Sequence, residues 1–134
     1  MVGIVIVSHS NKISDGIVDM CREMAGKDQI IISAGGMEDG SIGTDAVRIA
    51  NAIENADTGD GVLVLADLGS AILSTEMAMD ILNDNSINIE IKIADAPIVE
   101  GAIASSIEAY LGGNLESCLK KAEEAKNFIK LNKK

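Results

Sequence analysis

The residues best suited to chemistry are Asp67 and His9, the only histidine of the 134-residue chain. Each follows a short apolar run, residues 3–7 for His9 and residues 61–66 for Asp67. If these runs are neighbouring parallel strands, both side chains lie at the same edge of one sheet. A carboxylate that accepts the Nδ1 proton leaves a lone pair on Nε2 and stabilises the cation formed when Nε2 attacks an electrophile. The pair therefore predicts a nucleophilic histidine; the alternatives are a histidine without a role and an aspartate that only caps a helix.

A glycine-rich loop, residues 35–43, contains four glycines and ends at the predicted start of a helix. Backbone amides in such a loop, with the helix dipole behind them, suit an anion. Glycines also form ordinary turns, so this loop taken alone is weak evidence for a binding site.

Several other chemistries lack their signatures. No Gly-Lys-Ser/Thr follows the glycine-rich loop and no Gly-x-Gly-x-x-Gly follows the first strand, which argues against nucleotide binding. One histidine and two distant cysteines argue against a metal site. A response-regulator receiver needs an acidic pair where this chain has Ser8-His9. A hydrolase built on Ser8, Ser10 or Ser70 lacks the Gly-x-Ser-x-Gly turn.

The apolar pattern that must position these residues alternates between strands and helices. Predicted strands cover residues 3–7, 29–34, 61–66 and 87–93; a helix follows each, and a last helix begins at Asn114. This succession predicts an α/β fold, a three-layer αβα sandwich with a mainly parallel sheet. The first and third strands are continuously apolar and should be central, whereas the fourth alternates and should be an edge. The predicted order is therefore 2-1-3-4, which places His9 beside Asp67 at the topological switch point.

Helical spacing predicts which side chains face the sheet. Thr44 or Asp45 can cap the second helix. The expected inward positions are Val47, Ala50 and Ile53 or Ile49 in the second helix, and Ile72, Leu73, Met77 and Ile81 in the third. Cys21 and Cys118 lie on apolar stripes, so we expect reduced core thiols in a reducing compartment.

Charge and hydropathy exclude some partners. The net charge is −10, and the last fifteen residues carry +4, which leaves −14 on the first 119. A body this acidic repels phosphate backbones, so nucleic acid is not an expected partner. The longest nearly uncharged stretch, around residues 62–66, is far shorter than the ~20 residues of a membrane helix, and because strand-like residues start at Gly3 without a basic segment before them we expect no signal peptide. We expect a cytoplasmic single domain spanning residues 1–134, without a membrane partner.

Four segments carry a family resemblance. They are Gly3-Ile-Val-Ile-Val-Ser-His-Ser10, the loop from Gly35-Gly36 to Gly43-Thr44, Asp67-Leu-Gly-Ser-Ala71 and Asp95-Ala-Pro-Ile-Val-Glu-Gly-Ala102. Together they resemble the mannose-type IIA domains of the bacterial phosphotransferase system (PTS). The last two segments favour the phosphotransferase subunits of PEP-dependent dihydroxyacetone kinases over sugar-transporter domains.

The resemblance implies a phosphoryl relay in which His9 is the phosphorylated histidine and Asp67 is the carboxylate behind it. The phosphocarrier HPr would load His9, and the phosphoryl group would pass to ADP on a separate subunit, DhaL, which acts with DhaK on dihydroxyacetone. We expect phosphoryl-binding groups at the backbone of Ser10 and Gly36 and the hydroxyls of Thr44 and Ser70. A transient phosphohistidine needs no metal or cofactor on this chain, because the Mg-ADP belongs to the partner.

The resemblance also implies a homodimer, in contact through the edge of the fourth strand or the last helix, and leaves open whether an extra or swapped strand completes the sheet. It indicates the single-domain form, without appended HPr-like or enzyme I-like domains. Two alternative functions stay open. One is the IIA component of a mannose-type sugar transporter, and the other is a non-catalytic regulatory module that binds a small anion.

Overall fold

The computed structural model describes residues 1–132, which form four strands and five α-helices separated by short loops. In chain order these are β1 (Gly3–Val7), α1 (Asn11–Met24), β2 (Ile31–Ser33), α2 (Ala46–Ala56), β3 (Val62–Ala66), α3 (Gly69–Asp84), β4 (Ile91–Ile93), α4 (Ile98–Tyr110) and α5 (Leu115–Glu124), followed by a 3₁₀ turn at Ala125–Asn127. The second and fourth strands are shorter than predicted, because only residues 31–33 of the second and residues 91–93 of the fourth pair with a neighbour.

The sheet is parallel with the order β2-β1-β3-β4, which confirms the predicted topology. β1 and β3 are buried at every residue, whereas β4 is partly exposed at the edge. Ile4 and Leu63 contribute to the core on the side of α1, α4 and α5, and Val5 and Val64 to the core on the side of α2 and α3. The fold is therefore a three-layer αβα sandwich.

The inward faces of α2 and α3 differ in part from the prediction. Ala50, Ile49 and Ile53 are buried, but Val47 is 58% exposed. In α3 Ile72, Leu73 and Met77 are exposed and Ile81 is partly buried. The side chains of α3 that are buried are Ala71, Thr75, Ala78 and Leu82. α3 is apolar on most sides, so the spacing of its apolar residues does not identify the buried face. The buried face is the one whose small residues allow the helix to lie close to the sheet.

Both cysteines are buried and free, as predicted. Burial raises the pKa of both thiols, that of Cys118 to about 11, so neither has the thiolate character of a reactive cysteine. No helix within residues 1–132 has the length and apolar character needed to cross a membrane.

Candidate active site

The ends of β1 and β3 bring His9 and Asp67 together. Val7 lies opposite Ala66 in the parallel register, and the Asp67 amide donates to the Val7 carbonyl at 3.1 Å. The two segments that follow these strands therefore begin side by side, and Nδ1 of His9 lies 2.9 Å from Oδ1 of Asp67. This juxtaposition at the carboxyl edge is the one that the strand order predicts.

Asp67 accepts four hydrogen bonds. Its Oδ1 receives the His9 ring and the Leu68 amide (2.8 Å), and its Oδ2 receives the Ser8 hydroxyl (2.9 Å) and the His9 amide (3.0 Å). Burial raises the pKa of this carboxyl, but the hydrogen bonds from His9, Ser8 and Leu68 outweigh burial and leave the pKa below its usual value. The carboxylate is therefore ionised and fixed in orientation at neutral pH.

The His9 ring is oriented by these contacts. A carboxylate is only an acceptor, so Nδ1 carries the proton and Nε2 carries the lone pair. Nε2 lies 2.5 Å from the Ser70 hydroxyl, which therefore donates to it. The ring side chain is 24% exposed, so one face of the imidazole is open to a reactant while the Nδ1 side is held.

Ser70 belongs to the first turn of α3, whose N-terminus is open. The N-cap residue is Leu68, which offers no side-chain acceptor, and no side-chain hydrogen bond caps the helix. Asp67 precedes the N-cap, so its alternative role as the cap of α3 is not the one it has. First-turn amides have no partner inside a helix and attract an anion, and here they begin one residue before Ser70.

The glycine-rich loop packs beside His9. Gly36 donates to the carbonyl of Ser8 at 3.0 Å and Gly43 donates to the carbonyl of His9 at 2.9 Å. A Cβ on Gly35 would lie 2.2 Å from the Ser14 hydroxyl, so only glycine allows the loop to come this close to α1.

Three of the four predicted phosphoryl-binding groups already have partners. The Gly36 amide donates to Ser8, the Ser10 amide donates to the Ser8 hydroxyl at 3.1 Å, and the Thr44 hydroxyl lies 2.7 Å from that of Ser74. That Ser10, Gly36 and Thr44 bind the phosphoryl group stays a prediction; in this structure the three groups hold the loop, the start of α1 and α3 together. Ser70 is the predicted group that contacts Nε2.

Sequence reasoning missed Ser8 and Ser74. Ser8 is fully buried and links the Asp67 carboxylate to the Ser10 amide. The available signal was its position, directly after a fully apolar run and directly before the histidine. A hydroxyl that is buried there needs hydrogen-bond partners, which indicates a role in the site. Ser74 lies one helical turn after Ser70 in the predicted third helix, but its contact with Thr44 depends on tertiary packing, for which the sequence carries no local signal.

Comparisons with known proteins show the family to which the chain belongs. The family model EIIA-man, "PTS system fructose IIA component", matches residues 3–119. A Listeria innocua protein, "PEP-dependent dihydroxyacetone kinase 2, phosphoryl donor subunit DhaM", is 40% identical over 119 residues, which cover 89% of this chain and 94% of that one. A Providencia stuartii DhaM is 39% identical over 93% of this chain, but the match spans 27% of that longer relative.

Solved structures share this fold. A protein of unknown function, EF1359, has a TM-score of 0.82 and 40% identity, with 98% of both chains covered. The phosphotransferase component EIIA of Streptococcus agalactiae has a TM-score of 0.67 at 17% identity, with 96% of both chains covered, which shows the shared fold. The chain therefore belongs to the EIIA-man family of PTS IIA components, within which it is similar to the DhaM phosphoryl donor subunits.

Proposed function

We propose that this chain is the phosphoryl donor subunit of a dihydroxyacetone kinase. In this proposal Nε2 of His9 accepts a phosphoryl group from phospho-HPr and passes it to ADP bound on DhaL, which acts with DhaK on dihydroxyacetone. The observation that carries the proposal is the imidazole itself: Asp67 holds Nδ1, and Nε2 points to Ser70 at the open start of α3.

The proposed transfer is an in-line displacement. Nε2 of His9 attacks the phosphorus of the donor phosphohistidine, the new N–P bond forms as the donor N–P bond breaks, and the electron pair of the broken bond stays on the donor nitrogen. The proton stays on Nδ1 of His9 in its hydrogen bond to Asp67, and the carboxylate stabilises the positive ring. The Ser70 hydroxyl turns from Nε2 to a phosphoryl oxygen, and the first amides of α3 add charge stabilisation.

The partner subunit supplies the nucleotide and its metal ion in this proposal. Within residues 1–132 no three His, Cys, Asp or Glu side chains are grouped as a metal site requires. That this chain uses no metal or cofactor of its own stays a prediction. Transfer from preformed phospho-HPr to His9 in the presence of a chelator tests it, and loss of transfer would contradict it.

A labelling experiment tests the function. The purified chain is incubated with PEP, enzyme I and HPr, and we expect acid-labile phosphate on the wild type and none on His9→Ala. The labelled chain is then offered DhaL–ADP or the IIB domain of a mannose-type transporter. Transfer to DhaL alone supports the kinase subunit, and transfer to IIB alone indicates a sugar transporter. A wild type that takes no label is instead a non-catalytic module.

We also infer that two copies associate through the free edge of β4. Among the described residues β4 pairs only with β3. The Glu90 carbonyl and the Ala94 amide bond to β3, so the alternate backbone groups, at Ile89, Ile91 and Ile93, face the free edge.

The charges of this edge are self-complementary. If two β4 strands pair antiparallel about Ile91, Glu90 lies opposite Lys92 of the second copy, and Lys92 lies opposite Glu90 of the second copy. Opposite charges across such a pair stabilise it. The edge is therefore locally neutral, although the body of the chain is strongly acidic.

A further inference from the structure

The hydroxyls of Thr44 and Ser74 join two parts of the site. Thr44 directly follows the glycine-rich loop, and Ser74 lies on α3 one helical turn after Ser70. Their oxygen atoms are 2.7 Å apart, and both side chains are half-buried, so water competes weakly with this bond. Because positions four residues apart share one face of a helix, Ser74 lies on the same face of α3 as Ser70, one turn further along.

The other hydrogen bonds of the loop lead elsewhere. Gly36 and Gly43 bond to the backbone on either side of the His9 peptide, and Arg48 of α2 donates to the Gly35 carbonyl at 3.3 Å. Of the hydrogen bonds described for residues 1–132, the Thr44–Ser74 bond is the one that ties the loop to α3.

The start of α3 has few other anchors. Its N-cap, Leu68, makes no side-chain bond to the helix, and its first two residues, Gly69 and Ser70, are exposed. The Leu68 amide is held by Asp67, which lies before the helix. The first turn is held to the core at Ala71, and on the face that carries Ser70 the next side-chain contact along the helix is that of Ser74 with Thr44.

We propose that Ser74 is a positioning residue for phosphoryl transfer: through Thr44 it fixes the first turn of α3 against the loop that is bonded to His9, and so sets the distance from the Ser70 hydroxyl to Nε2. This proposal rests on the proposed function, because it assigns Ser74 a part in the same transfer. Ser74 acts through Ser70 and does not itself contact the imidazole.

The consequence is a specific kinetic effect. Displacement of a positioned group by about 1 Å costs up to ~100-fold in rate, and partial loosening of one turn costs less. We expect Ser74→Ala to lower the maximal rate of phosphoryl transfer from phospho-HPr about tenfold and to leave the KM for phospho-HPr unchanged. Ser74→Thr retains a hydroxyl and should recover most of the rate.

A double-mutant cycle separates positioning from general destabilisation. Ser74→Ala is measured alone and in a Ser70→Ala background by rapid-quench phosphorylation with preformed phospho-HPr. If Ser74 acts by holding Ser70, its replacement has little further effect once Ser70 is gone. Equal effects in both backgrounds, or an unchanged rate in Ser74→Ala, would overturn the proposal.

Matched variants complete the test. Thr44→Val should reproduce the effect of Ser74→Ala, and the two together should be no slower than either alone. Ser41→Ala removes another loop hydroxyl, one bonded only to Asp39, and should leave the rate unchanged. A wild type that accepts no phosphate refutes the proposed function and this inference together, whereas a labelled wild type with an equally fast Ser74→Ala refutes the inference alone.

Discussion

The carboxyl edge of the sheet holds two polar clusters of opposite character. At the central strands Ser8 is fully buried, Asp67 is 16% exposed, and each polar group has a defined partner. At the end of β4 the Asp95 amide donates to Glu123, and Lys126 pairs with an Asp95 side chain that is 87% exposed. Lys130 pairs with Glu100 nearby, and this hydrogen bond lowers the pKa of the Glu100 carboxyl.

The difference in burial gives the two clusters different roles. A buried network costs free energy wherever a partner is missing, so its side chains have one arrangement. Exposed ion pairs are screened by water and contribute little to stability. The central cluster is therefore suited to hold an imidazole for chemistry, and the β4 cluster only fastens the segment after α5 to the sheet.

The largest effect is expected at the histidine. His9→Ala removes the only imidazole, so phosphate transfer to this chain should be lost entirely. The measurement is acid-labile label after incubation with phospho-HPr. Circular dichroism and thermal melting control for folding. Label that persists in His9→Ala would place the acceptor on another residue.

Asp67→Ala tests whether the buried cluster is more than structure. Without the carboxylate the imidazole loses its tautomer and its charge partner, and we expect transfer to slow by roughly 10²–10⁴. Rapid-quench kinetics measure the rate, with Lys126→Ala as the control from the exposed cluster. If Asp67→Ala transfers phosphate as fast as wild type, Asp67 only holds the backbone of the loops and has no part in transfer.

The edge of β4 should respond to charge rather than to shape. Glu90→Lys sets like charges opposite one another twice in the proposed antiparallel pair, and we expect the dimer to weaken about tenfold. Lys92→Glu should do the same, and the double exchange should restore association. Sedimentation equilibrium measures all four chains. A wild type that is monomeric at all concentrations, or a double variant as weak as the singles, rules this interface out.

The buried carboxylate also predicts a pH dependence of stability. Because the folded pKa of Asp67 is lowered, its stabilisation is present above the ordinary carboxyl pKa of about 3.9 and is lost as pH falls through the lower folded value. We expect the unfolding free energy of wild type to fall more steeply than that of Asp67→Asn between about pH 4 and pH 2. Urea titrations at a series of pH values measure it. Parallel curves would show that the four hydrogen bonds do not favour the ionised form.

The smallest effect is expected at the exposed cluster. Lys126→Ala removes the partner of Asp95, and the unfolding free energy should change by roughly 0–1 kcal/mol. The effect should diminish further in high salt. Thermal melting in low and high salt measures it, and a loss of several kcal/mol would mean that the two clusters are energetically alike.

Much of this arrangement was legible in the sequence. Continuous apolar runs placed β1 and β3 at the centre, the alternation from Ile87 to Ile93 placed β4 at the edge, and the strand ends placed His9 beside Asp67. These inferences succeed because they depend on hydrophobic patterning and strand polarity, which local sequence encodes.

Other features depend on tertiary geometry. The hydrogen bond from the Gly36 amide to the Ser8 carbonyl depends on the direction of that carbonyl, which residue types alone do not reveal. Leu73 and Met77 were expected on the inward face of α3 but are exposed. A helix that is apolar all round has several equivalent faces that could pack on the sheet, so its sequence does not select one. Thr44 meets Ser74 across thirty positions of chain, a contact that only the packing of α2 against α3 creates.

The exposed leucine that begins α3 has a thermodynamic consequence. A helix start that lacks a side-chain acceptor forgoes about 1 kcal/mol of stabilisation until an anion supplies one. Modification of His9 would bring such an anion, so the loaded chain should exchange the amide hydrogens of Gly69 and Ser70 more slowly than the empty chain. By the same linkage, the uncapped helix start should shift the phosphoryl-transfer equilibrium towards the loaded chain.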